Sequence, residues 1–269
     1  MESSHNHIDP SDPRLIAFNR LLTIMDELRE KCPWDKKQTI DSLRHLTIEE
    51  TYELADAIIN GDLQAVKGEL GDLFLHLVFY AKIASETGEF DLSDVLNTIC
   101  EKLIFRHPHI YGDVEVGTEE EVKANWEKLK LKEGKKSVLE GVPASLPALV
   151  KAIRIQDKVK GVGFDWSDIA DVKAKVREEW GELEAEEQAG NAEAMEEEFG
   201  DLLFSMVNYA RFIQVNPEDA LERTNRKFLA RFRLMEEWIL ADGKELSALD
   251  LSEMDTYWDR AKSELRNSK

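Results

Sequence analysis

The sequence predicts an all-α protein built by tandem duplication. Of its 269 residues 42% are hydrophobic and 33% charged, with only 14 Gly and 7 Pro, a globular and helix-favouring mixture. Apolar residues recur at helical spacing through stretches rich in Glu, Lys, Leu and Ala, while strict alternation of β-branched residues is scarce. Two acidic motifs also occur twice. Glu49-Glu-Thr-Tyr-Glu53 returns as Glu178-Glu-Trp-Gly-Glu182, and Glu69-Leu-Gly-Asp72 returns as Glu198-Phe-Gly-Asp201, each displaced by 129 positions. Such self-similarity at a fixed offset marks a repeated structural unit.

Taken in order, residues 1–12 are polar and hold His5 and His7. Ser11-Asp-Pro13 starts a helix, with a capping oxygen and a proline suited to the first turn. Leu15, Phe18, Leu21, Leu22, Met25 and Leu28 mark its apolar face to about Lys31, and Cys32-Pro-Trp-Asp35 breaks it. A second helix runs from Ile40 to Asn60 and stops at Gly61. A third runs from Leu63 to Thr87 before Gly88, and a fourth is capped by Asp91-Leu-Ser-Asp94 and ends near Pro108. A shorter one covers about Glu119 to Lys132. Gly and Pro residues make 134–146 the best linker, giving domains at 13–133 and 147–269. Beyond it, ELGDLFLHLVFYAK lines up with EFGDLLFSMVNYAR without a gap, Lys102 and Arg106 match Lys227 and Arg231, and Trp126 and Lys130 match Trp258 and Lys262.

The formal net charge of −20 argues against general binding to nucleic acid or an anionic membrane, since that surface repels phosphate. It leaves room for a small phosphate ligand where divalent cations invert the local field. Two cysteines, Cys32 and Cys100, build no disulfide framework and suit a reducing compartment. There is no signal-like start and no apolar run approaching the ~20 residues of a membrane span, so a cytoplasmic location is expected.

Residues three apart on a helix share a face, so Glu179 pairs with Glu182 and Glu198 with Asp201. The turn residues Gln188-Ala-Gly-Asn191 let the two helices fold back on each other and bring four carboxylates together. One EExxE in an acidic helical protein is ordinarily a solvated face. Two copies at one offset, beside the apolar run Leu202-Leu-Phe204 and Met206-Val207, favour a metal site, because carboxylates on a core-facing helix need neutralising. Oxygen-only donors suit Mg²⁺ or Mn²⁺. A di-iron oxidase would need Glu-x-x-His; here the third residue after Glu50 is Glu53 and after Glu179 is Glu182. His76 reads as a core or boundary residue, and His107 and His109 as a helix-ending turn. Arg223, Lys227 and Arg231 form a basic stripe that, beside a metal cluster, makes sense as a phosphate clamp. Lys175 adds a cation one turn before Glu179, Trp258 either stacks on a base or packs, and Lys262 reaches a phosphate or a nearby acid.

The order EExxE, fifteen residues, ExxD, then Lys and Arg, then Trp resembles the MazG family of nucleoside triphosphate pyrophosphohydrolases, in its tandem form and over nearly the whole chain. The resemblance implies an all-α homodimer with four-helix bundles completed across protomers, and Mg²⁺-dependent hydrolysis of nucleoside triphosphates to monophosphate and pyrophosphate. It assigns Glu179, Glu182, Glu198 and Asp201 to the metal, and Lys175, Lys227, Arg231 and Trp258 to the nucleotide, with Glu178 left to orient water or a lysine. The first copy keeps Glu50, Glu53, Glu69, Asp72, Lys102 and Arg106 but has Leu46 where Lys175 stands, so most turnover is expected from the second. Two other readings are an acidic helical interaction module and a pyrophosphohydrolase for a narrower or modified nucleotide.

Overall fold

The computed structural model describes residues 9–112, 114, 117, 118, 122, 125, 129 and 137–267. Among these there are ten α-helices and no strand. The chain divides into two compact units, Met1–Glu115 and Val116–Lys269. The expected helix over 119–132, with Trp126 and Lys130, falls largely outside the described residues, as do His5, His7 and the first residues of the 134–146 segment.

In the first unit, α1 (Pro13–Lys31) starts with Pro13 at its first position and the Asp12 side chain accepting from the Arg14 N–H. A 3₁₀ turn, Asp35–Lys37, follows the Cys32-Pro break. Arg29 fixes this turn by donating to the carbonyls of Asp35 and Gln38, and it pairs with Glu86 across the unit. A reciprocal Thr39–Ser42 capping box opens α2 (Ile40–Asn60). Gly61 at φ 69° closes it and Asp62 caps α3 (Leu63–Glu86) at once, so α2 and α3 form a tight hairpin. Met25, Leu43, Val78 and Phe79 form the core, with Leu46 and Leu75 packed on it. A second capping box, Asp91–Asp94, opens α4 (Leu92–Arg106), and a single turn, α5 (Pro108–Tyr111), ends the unit.

The second unit repeats this plan. Lysines on α6 (Ala148–Lys160) bind the preceding segment: Lys158, buried, donates to the carbonyls of Val138 and Glu140 at 3.0 and 3.3 Å, and Lys151 to that of Ala144 at 2.7 Å. After a turn through Gly163 at φ 88°, Asp168 caps α7 (Ile169–Ala189), Gly190 at φ 69° ends it, and Asn191 caps α8 (Ala192–Phe212). Then come α9 (Pro217–Ala241), with Asn216 as cap and Pro217 at its first position, and α10 (Leu251–Asn267). Val172, Leu183, Leu202, Val207, Met235 and Ile239 are buried.

The apolar run on α8 is only partly core. Leu202 and Val207 are buried, but Leu203, Phe204 and Met206 are 42–50% exposed, because consecutive apolar residues on a 3.6-residue helix cannot all face one way.

Both acidic hairpins turn on a left-handed glycine. A Cβ at Gly190 would meet no atom within 4 Å, so the cost of Gly190→Ala is the backbone conformation alone, about 1–2 kcal/mol. Urea denaturation of the full chain should show this loss, and the same change at Gly61 should cost as much.

Candidate metal and nucleotide site

The α7–α8 hairpin carries the acidic pairs, and its geometry follows from the caps at either end of Gly190. One carboxylate oxygen each from Glu179, Glu198 and Asp201 lie within 4.8 Å of one another. Glu179 is buried at 5% exposure, Glu198 half-buried and Asp201 exposed. The first unit's hairpin gathers Glu50, Glu69 and Asp72 in the same way. Glu182 and Glu53, the fourth acids of the two motifs, stand outside these three-way groups, although Glu182 is close enough to Glu179 to be perturbed by it.

Charge repulsion is legible at these carboxylates. Partial desolvation, then the neighbouring Glu179 and Glu198, push Glu182 above its ordinary pKa; desolvation, then Glu179 and Asp201, do the same to Glu198. Glu50 is raised by desolvation and by Asp72, Glu53 and Glu69. In the second unit Lys175 answers part of this charge. Its Nζ lies 2.7 Å from Glu179 and 2.8 Å from Glu178, which holds its own pKa above the ordinary lysine value. Leu46, at the matching position of the first unit, is packed on the core instead. A converging, oxygen-only set that favours protonation is suited to a hard divalent cation.

The other basic candidates lie on α9 and α10. The Arg231 guanidinium stands 5.8 Å over the Trp258 ring, and Phe228 lies 5.0 Å from the same ring. Arg231 Nε is buried without a partner. Trp258 thus packs within the α9–α10 pair. Among the described residues no hydrogen bond or ion pair joins Lys227, Arg231 or Lys262 to the α7–α8 carboxylates. His76 is buried at 7%, with burial lowering its pKa and Nδ1 unpaired. His107 caps α4, its ring 5.5 Å from that of His109.

The residues that motif reading missed line a cavity of about 530 Å³ beside the acids. Its walls are apolar at Ile155, Val159, Phe164, Trp166 and Phe204, and Lys175, Glu179 and Asp201 border it too. On α8, Asp201, Phe204, Ser205, Asn208 and Arg211 all face it. That i, i+3, i+4, i+7, i+10 stripe, together with the Gly161-Val-Gly-Phe-Asp-Trp166 turn, was the available signal. The size falls within the range of small-molecule pockets.

The MazG nucleotide pyrophosphohydrolase domain family matches this chain twice, at residues 38–111 and 168–233. The chain belongs to that family. A nucleoside triphosphate pyrophosphohydrolase of Escherichia coli (strain K12) is 43% identical over 91% of this chain and 97% of its own. The Thermotoga maritima nucleoside triphosphate pyrophosphohydrolase/pyrophosphatase MazG is 46% identical over 92% of this chain and 96% of its own. A crystal structure of a mazG-related protein from Thermotoga maritima aligns with 42% of this chain and 98% of its own, at 29% identity and a TM-score of 0.38. The two matched segments of this MazG chain each contain one acidic hairpin, and the second ends just beyond Arg231.

A raised carboxylate pKa means that the folded state binds more protons than the unfolded one as pH climbs from the ordinary value of 4.5 through the raised one. The cluster therefore opposes folding most above that window. Mg²⁺ should raise the Tm of the full chain clearly at about pH 7.5, with about 2.7 kcal/mol available at a hundredfold excess over Kd, and much less near pH 4.5. A Tm indifferent to Mg²⁺ and Mn²⁺ at both values would show that the acids hold no cation.

Proposed function

We propose that this MazG protein hydrolyses nucleoside triphosphates to the monophosphate and pyrophosphate with Mg²⁺ or Mn²⁺, and that the second copy does most of the turnover. The enzyme class comes from the family match and from relatives named nucleoside triphosphate pyrophosphohydrolase that align over more than nine tenths of the chain. The observation that carries the finer reading is the junction of the Glu179–Glu198–Asp201 cluster with the 530 Å³ cavity. Carboxylates and an ammonium beside apolar and aromatic walls suit a triphosphate joined to a nucleoside. The two copies are taken as 13–133 and 147–269, joined by 134–146.

Glu179, Glu198 and Asp201, with Glu182 at their edge, hold the cation, which when bound supplies Lewis acidity toward the phosphate oxygens and the attacking water. Water attacks the α-phosphorus, the bond from that phosphorus to the α–β bridging oxygen breaks, and pyrophosphate leaves. Lys175 pairs with Glu178 and Glu179, and with Glu179 holding a cation its ammonium would be available to a phosphate oxygen. Glu178 then keeps Lys175 oriented. Lys227 and Arg231, four apart on α9, offset charge on the departing pyrophosphate, with Trp258 setting the plane of the Arg231 guanidinium. Lys262, one turn beyond Trp258, supplies a further cation.

The first copy keeps its acids, and Lys102 and Arg106 on α4, but its surroundings differ. Leu46 replaces Lys175, and Phe79, 2% exposed in the core, occupies the register position of Asn208. A site with Leu46 in place of Lys175 and a phenyl ring in place of a cavity-lining amide is poorly made for a nucleotide. Glu179→Gln should lower pyrophosphate release by a hundredfold or more, about 2.7 kcal/mol in the barrier, while Glu50→Gln leaves most of it. Loss only in the Glu50→Gln protein would reverse the assignment of copies. No release from any triphosphate by the folded protein would favour an interaction module.

Homodimerisation belongs to the same proposal. Val95, Leu96, Ile99, Leu103, Ile104 and Phe105 on α4 are each 40–48% exposed, and α4 buries none of its residues. An amphipathic helix left this bare needs a partner surface. Light scattering should give twice the 30.8 kDa chain mass, and Ile99→Glu with Leu103→Glu should return it to one. Cytoplasmic residence is proposed from the two free cysteines; among the described residues no helix is long and apolar enough to cross a membrane.

A further inference from the structure

We propose that Asn208 reads the base in the second-unit cavity, favouring bases with a carbonyl at the pyrimidine 4- or purine 6-position over those with an amino group there. The proposal rests on the nucleotide reading given above and adds to it the group that discriminates.

An amide presents a donor and an acceptor, so it reads a ligand only if something fixes which end points inward. Here that is fixed. Asp165, in the turn before α7, takes both terminal nitrogens of Arg211, Nη1 at 2.9 Å and Nη2 more closely. The same Nη2 donates to Asn208 Oδ1 at 2.7 Å. Guanidinium nitrogens only donate, so the amide oxygen must face Arg211 and the Nδ2 end is left over. Asn208 lines the cavity, is half-buried, and its Nδ2 donates to no described residue. Arg211 is itself held firmly, since its guanidinium also lies 4.7 Å over the Phe212 ring.

The placement suits a base edge. Asn208 lies seven residues beyond Asp201 on α8, about 10 Å along the helix axis, so a ligand with phosphate at the acids extends its far end toward the amide. Phe164, Trp166 and Phe204 give apolar and aromatic walls on the way, and base faces pack well on such surfaces. A fixed N–H meets an acceptor well: the 4-carbonyl of uracil and thymine, or the 6-carbonyl of guanine and hypoxanthine. Cytosine and adenine carry an amino donor at those positions, and donor against donor leaves both unmatched.

The duplication supplies an independent comparison. The two α-helical segments align without a gap, and the first copy has Phe79 where Asn208 stands and Lys82 where Arg211 stands. Phe79 is 2% exposed in the core, and Lys82 pairs with Asp26 at 2.7 Å instead. The acids are kept in both copies, while the Asp165–Arg211–Asn208 chain occurs only in the second.

The test uses the full-length protein with Mg²⁺, titrated calorimetrically with UMP and IMP against CMP and AMP, and assayed for pyrophosphate release from the matching triphosphates. The wild type should bind the carbonyl-bearing pair about fivefold or more tightly, the worth of one hydrogen bond. Asn208→Asp keeps an oxygen for Arg211 but turns an acceptor toward the cavity, and should reverse the order. Asn208→Ala should flatten it, and stands in if the aspartate variant folds poorly. One unchanged ratio across all three proteins, or a wild-type preference for AMP and CMP, overturns the assignment. The expected order in binding without pyrophosphate release from any triphosphate would leave Asn208 in place and remove the enzymatic reading instead.

Discussion

Mutual repulsion among carboxylates is the constraint around which this molecule is arranged. A helical hairpin that turns in two residues on a left-handed glycine places side chains from facing helices opposite one another, whatever their charge. In both units those side chains are acidic, and their oxygens converge within 4.8 Å. Desolvation first, and the neighbouring acids after it, raise the pKa of Glu50, Glu182 and Glu198. Such a cluster has the chemistry to hold a hard cation, and the helices, caps and turns around it fix where its oxygens stand.

The duplicated units deal with the charge differently. In the second, Lys175 sits between Glu178 and Glu179 as an internal counter-ion, and a cavity opens beside the acids. In the first, Leu46 and Phe79 extend the hydrophobic core toward the same place. The second copy thereby presents a cavity with polar side chains in its lining where the first presents apolar side chains.

Much of the fold could be read along the chain. Asp12 with Pro13, Gly61 with Asp62, and Gly190 with Asn191 each announce a helix boundary through a physical requirement of the backbone, and the helices begin and end there. The acids could be read because their spacing matches the helical turn and recurs. The cavity could not be read as such. Its walls come from α6, from the turn at Gly163–Trp166, and from α8, elements separated by tens of residues. Asn208 and Arg211 look like ordinary exposed polar residues of a helix until Asp165 is brought against them. Trp258, left open in the sequence between stacking on a base and packing, packs beside Arg231.

Local chemistry thus determined the helices, their order, the duplication and the pairing of acids on faces, because caps, glycines and periodicity act over a few residues. The family followed from the same local signals in series. Only tertiary structure decided which acids meet, that Lys175 neutralises Glu179 while Leu46 enters a core, and that Arg211, held by Asp165, takes the oxygen of the Asn208 amide. Those outcomes depend on distances between segments remote in sequence, and electrostatic and packing energies are set by such distances.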